Sequence, residues 1–275
     1  MTRFSRVVRD AIKHFLEYGY RSTEELNEWV SRIRAASYEV AGSQGHYMEE
    51  VTSNLTQLFE NDITKGRVLK RHQGISRFSV EKLSTSMRAE LDRRIMASAD
   101  LIKINREKAI ETTISRFVGW STSIPSASHD IQQGRSSTRG TVTSNAKHIE
   151  KSAKQVDYEA RRVMIDQGHK LIANIDNIIA TENNAIAAIW HSHWRQPNYD
   201  YREDHKERDK HVYLIRGNWA QKKGYVKPGK SGYLDEVTQP GEEVFCRCYV
   251  TYVYNLRSVP AEMLTNKGEQ FLMAA

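Results

Sequence analysis

Apolar residues return every three or four positions through most of the first two thirds of the chain, the period of a helix with one buried face. Ser22-Thr23-Glu24-Glu25 sets a hydroxyl three residues ahead of a carboxylate, before Leu26, Trp29, Val30 and Ile33. That order predicts a capping box and a helix through about Ala36. Met48, Val51, Leu55, Leu58 and Phe59 form a second stripe between Gly45 and Gly66 and predict a second helix. Ser79 is positioned to cap a much longer element, in which Leu83, Met87, Leu91, Ile95, Ile102 and Ala109 keep an approximately sevenfold repeat among Arg88, Arg93, Arg94, Lys103 and Arg106. Such a helix either spans a helical layer or projects as an arm, and the pattern leaves both open.

Residues 121–147 are rich in Ser and Thr, carry Pro125 and hold few large apolar side chains, so they resist packing. They are expected to be a flexible linker or an extended segment ordered by a neighbour; Arg135, Arg139 and Lys147 would let them lie along DNA or an acidic partner. Helical pattern resumes near Thr143 and is read through Val163, Leu171, Ile175, Ile179, Ile186, Ile189 and Trp190. After Pro197 the turn signals Gly217, Gly224, Pro228-Gly229, Gly232 and Pro240-Gly241 predict short strands, with Val244 to Tyr254 the best candidate. The expected fold is therefore α+β and predominantly α. It comprises a long-helix body over residues 1–120, the linker, a module of one helix and short strands over 148–260, and a tail over 261–275.

Composition narrows the class. The chain has 275 residues, 39% hydrophobic and 27% charged, as in folded globular proteins. No run is apolar enough to span a bilayer and the first residues lack the core of a signal peptide, so no membrane partner is expected and a cytoplasm is the expected site of synthesis. A net charge of +7 favours polyanionic surroundings, and no basic block stands out as a recognition helix.

Chemistry-bearing residues concentrate late in the chain. Cys246 and Cys248, the two cysteines, are separated by one residue, a spacing that does not suit a disulfide. On a strand both thiols would share a face, and with His211 and one of His205, His193 or His191 they could form a tetrahedral zinc site. Asp204, His205, Asp209 and His211 also have the residue types of a metal-dependent nuclease or hydrolase, although Arg202, Lys206, Arg208 and Lys210 alternate with the acids as on an ion-paired surface helix. Trp190 and Trp194 are candidates for an aromatic platform or for core packing.

Taken in order, Asp204, Arg208 and His211, then Gly217 followed by Trp219, then Pro240 with Cys246-Arg247-Cys248, resemble the C-terminal signature of the phage Mu F-like minor head proteins, a phage head morphogenesis family. The likeness covers Asp204 to Cys248 and extends more loosely back to Lys147. Membership would imply a structural, non-enzymatic protein of the virion. It would be made in the host cytoplasm and placed in the capsid interior or at the portal vertex. There it would contact portal, major capsid or scaffolding protein and packaged DNA, and aid head assembly or DNA delivery.

Overall fold

The computed structural model describes residues 2–42, 44–124 and 138–274. These fold mainly as helices with one small antiparallel sheet. In chain order the elements are α1 (Arg3–Tyr18), α2 (Thr23–Ala41), α3 (Gln44–Ile63), α4 (Arg77–Glu81), α5 (Ser84–Thr122), α6 (Thr138–Glu182), β1 (Ala187–His191), α7 (Glu203–Glu207), β2 (Val212–Leu214), α8 (Trp219–Lys222), β3 (Tyr249–Val253) and α9 (Asn266–Ala274). They form two compact units: Met1–Val51 with Ala97–Val163, and Thr52–Met96 with Met164–Ala275.

The first unit is helical. Its core draws Phe4, Val8, Ile12 and Phe15 from α1, Leu26 and Ile33 from α2, Ile110, Ile114, Phe117 and Trp120 from α5, and Val142, Ala146, Ile149 and Val156 from α6. Ser22 caps α2 by accepting from Glu25 N at 3.2 Å, while the Glu25 carboxylate reaches His14 Nε2 at 2.7 Å. The helix continues past Ala36 to Ala41, where Gly42 at φ 63° takes the left-handed conformation that stops it.

The second unit carries the sheet, in the order β2-β1-β3. Central β1 pairs Ala188 with Tyr213 on one side and with Tyr252 on the other. Its alternation is buried on both faces. Ala188 and Trp190 join Tyr213, Val250 and Tyr252, whereas Ile186 and Ala187 join Leu214, Val226, Val253 and Met263.

Several boundaries differ from the sequence reading. Ser79 is not the cap of the long helix: Ser76 caps α4, accepting from Ser79 N at 3.1 Å, and α5 starts at Ser84. The helical reading of Ile186, Ile189 and Trp190 is wrong, because α6 ends in a Schellman motif. Asn184 sits at φ 55°, Ala185 N donates to Ala180 O at 2.9 Å and Asn184 N donates to Thr181 O at 3.2 Å. Ile189 and Trp190 beyond it lie in β1, and Ile186 directly precedes the strand. The strand expected over Val244 to Tyr254 is confined to Tyr249–Val253, because Phe245 takes φ 61° and its N–H donates to Asp166 Oδ1 at 2.9 Å. Of the Ser/Thr-rich segment, 125–137 lie outside the described residues and 138–147 are helical. The residues set apart as a tail form a 3-10 turn at Ala261–Met263 and α9; Met263 is buried, and Gly268 approaches the Tyr225 carbonyl so closely that a Cβ would lie 2.2 Å from the oxygen.

Candidate functional site

The turn from Gly241 to Cys248 and the short helix α7 meet in the second unit beside β1. His205, in the middle of α7, is 1% exposed, and Cys246 and Cys248 are buried free thiols. His205 Nδ1 lies 3.6 Å from Cys246 Sγ and 3.5 Å from Cys248 Sγ. The three ligand atoms all fall within 4.8 Å of one another, and they are the one such group of His, Cys, Asp and Glu among the described residues. The convergence does not come from a strand, since both cysteines precede β3; the left-handed Phe245 turns the chain so that both sulfurs approach His205.

Several hydrogen-bond donors surround the sulfurs. The backbone N–H groups of Gly241 and Cys248 point at Cys246. Trp190 Nε1 and Ser192 Oγ approach Cys248 and are buried with no other hydrogen-bond partner. The neighbouring thiol of Cys248 holds Cys246 well below the ordinary thiol range, at about 5, against the opposing effect of burial. Cys248 is pushed up, first by that shared hydrogen bond and then by burial. On the far side of the imidazole, His205 Nε2 faces Glu243 Oε2 at 3.6 Å and Asp204 Oδ2 at 3.8 Å, too far for a formed hydrogen bond. Trp190 packs edge-on against the His205 ring, with centroids 5.6 Å apart.

The other residues singled out in the sequence have separate places. His211, expected among the ligands, is exposed and outside the cluster; only its backbone joins the framework, its carbonyl accepting from Trp190 N at 2.9 Å. Arg208 pairs with Asp204 at 2.7 Å, donates to Thr238 O at 3.2 Å and stands 5.3 Å above the Trp190 ring. Asp209 accepts from Ser192 N at 2.9 Å and from Trp194 Nε1 at 3.3 Å; burial opposes its ionisation, but these two donors hold its carboxyl below the usual range. The quartet Asp204, His205, Asp209 and His211 therefore does not converge on one point. Trp190 is fully buried and cannot serve as a stacking platform. Gly217 adopts φ 71°, which only glycine takes freely, and Pro240 is buried. Arg247 donates its N–H to Tyr199 Oη at 3.2 Å and lays its guanidinium 4.9 Å above the same ring. Of the proposed DNA contacts, Arg135 lies outside the described residues, Arg139 falls in the first turn of α6, and Lys147 is exposed on that helix.

Sequence reasoning missed Asp166, Ser192 and Glu243. Asp166 and Ser192 lie outside the motifs and Glu243 at an unspecified position between Pro240 and Cys246, and each is brought in by the turn at Phe245 or by the strand end at His191. Comparison of the chain with protein-family models, with curated proteins and with solved structures found no match.

Proposed function

We propose that this chain is a structural component of a phage head, a minor head protein that associates with portal and inner capsid, touches packaged DNA and assigns no reaction to its signature residues. The observation that supports this reading is the use to which the signature is put. Asp204, Arg208, Gly217, Pro240, Cys246 and Cys248 are spent on ion pairs, a left-handed turn and buried packing, all within one small module. The alternative, a metal-dependent nuclease or hydrolase, would need Asp204, His205, Asp209 and His211 around one metal ion. Here Asp209 is committed to Ser192 and Trp194, and His205 to the thiols.

The role is tested on particles. Virions purified from lysed cells that carry the encoding element should contain the chain, by quantitative mass spectrometry, at a small fraction of the major capsid copy number. Its absence from DNA-filled heads, with the chain present in the lysate, would overturn the proposal.

A further inference from the structure

Six side-chain polar atoms among the described residues are buried without a hydrogen bond, and three of them, Trp190 Nε1, Ser192 Oγ and His205 Nε2, lie at His205, Cys246 and Cys248; a fourth, Glu243 Oε2, is ion-paired to Arg202 and faces His205 Nε2 at 3.6 Å. Buried donors and acceptors are normally satisfied, so their concentration at one place calls for a missing group. The ligand spacing says which. A zinc ion bonded at about 2.3 Å to sulfur and about 2.0 Å to imidazole nitrogen, at the tetrahedral angle, sets nitrogen and sulfur about 3.5 Å apart. Nδ1 lies 3.6 Å from one sulfur and 3.5 Å from the other. A neutral imidazole nitrogen offers either one lone pair or one N–H, so it cannot hydrogen-bond well to both sulfurs; a cation between the three atoms accounts for the equal separations.

We infer that His205 Nδ1, Cys246 Sγ and Cys248 Sγ bind one zinc ion. Two thiolates and one imidazole form a soft to borderline set that zinc prefers and magnesium and calcium do not. The two thiolate charges cancel the charge of the ion, so the buried unit is neutral and its desolvation is tolerable. The unpartnered atoms then gain functions. Trp190 Nε1, Ser192 Oγ and the backbone N–H groups of Gly241 and Cys248 donate to the thiolates. Glu243, anchored by Arg202 at 2.5 Å, faces His205 Nε2 at 3.6 Å, and closing that gap on metal binding would fix the tautomer that leaves Nδ1 for the metal. Among the described residues no fourth His, Cys, Asp or Glu atom lies within the same radius, so the fourth corner goes to a solvent molecule. The site does not depend on whether the chain enters a virion.

The untagged full-length chain, purified from zinc-supplemented cells, should retain one equivalent of zinc by mass spectrometric metal analysis. Stripped and refilled with Co²⁺, it should show the near-ultraviolet thiolate-to-cobalt band and the intense visible bands of tetrahedral cobalt. Cys246→Ser, Cys248→Ser and His205→Ala should each abolish both signals, and His211→Ala should leave both intact. Should the ligand variants fail to fold, Glu243→Gln decides, with zinc affinity expected to fall about 10- to 100-fold in a chelator competition. Wild-type chain holding less than about a tenth of an equivalent after zinc addition, or a cobalt spectrum without the thiolate band, would overturn the site.

Discussion

Asp176 is 2% exposed and answers to two partners at once: Arg71 Nε at 2.6 Å and His72 Nε2 at 3.0 Å. Arg71 spans onward to Asp62 at 2.6 Å; the Asp176 carboxylate only accepts, so His72 donates to it from Nε2, while His72 Nδ1 lies 2.5 Å from the Tyr254 hydroxyl. Burial pushes the Asp62 carboxyl up despite Arg71, the mark of a charge held in a dry place. Removing one member leaves the others uncompensated, so Asp176→Ala should destabilise the chain by about 3–5 kcal/mol in urea unfolding monitored by circular dichroism. A loss under about 1 kcal/mol would show that water compensates the remaining charges. None of this network was legible in the sequence, because Asp62, Arg71 and Asp176 are distant in the chain and no local pattern joins them. Cys246 and Cys248 were legible as a pair and His205 as one of four candidate histidines. His211 was misassigned because its place in the motif gives no sign of which way the side chain faces.

At the scale of elements, periodicity located the helices well, and the errors fell at their ends, where one residue decides. Met87, Leu91, Ile95 and Ile102 are buried along α5 as the sevenfold spacing requires. Its start slipped from Ser79 to Ser84 because Ser76 caps a separate short helix first. The end of α6 was overrun because Asn183-Asn184 is a weaker stop signal than glycine, although Asn184 takes the same left-handed conformation. The polar side of α5 is also tied down. Burial alone would raise the carboxyl of Glu90, but Asn174, Arg94 and Arg93 outweigh it and hold the group below its ordinary value of 4.5. A carboxylate lowered in the folded state stabilises fully above its unfolded value, and that contribution is lost as the pH falls through the folded value. The difference in unfolding free energy between wild type and Glu90→Gln should therefore be constant above pH 4.5 and shrink on acidification below it. A gap that does not narrow in acid would mean that Glu90 contributes by packing alone.

For the whole molecule, the readable quantities were class and charge: the predominantly α fold with a small sheet followed from the helical period of the first two thirds and the turn signals after Pro197, and no helix among the described residues is long and apolar enough to cross a membrane. The net charge of +7 sets an expectation for the proposed contact with packaged DNA. Binding to a plasmid duplex, read by fluorescence anisotropy, should be measurable at about 50 mM salt and weaken at least about tenfold by 200 mM, because each phosphate contact releases counterions. Salt-independent binding would require base or stacking contacts that no exposed cluster described above supplies. The membership of the two units was harder to read. Each takes residues from two separate stretches of chain, and the long helices α5 and α6 contribute to both, whereas the sequence changes character at the Ser/Thr-rich segment and again after Pro197. That interleaving governs how the protein can be dissected. A fragment beginning at His148 would keep the sheet and His205, Cys246 and Cys248, yet discard Arg71 and His72, stranding the Asp176 carboxylate and stripping Tyr252 of the ring stacked 5.0 Å from it. Expressed alone, such a piece would fail for want of residues encoded far upstream, so its insolubility would say nothing about the strength of the sheet it carries.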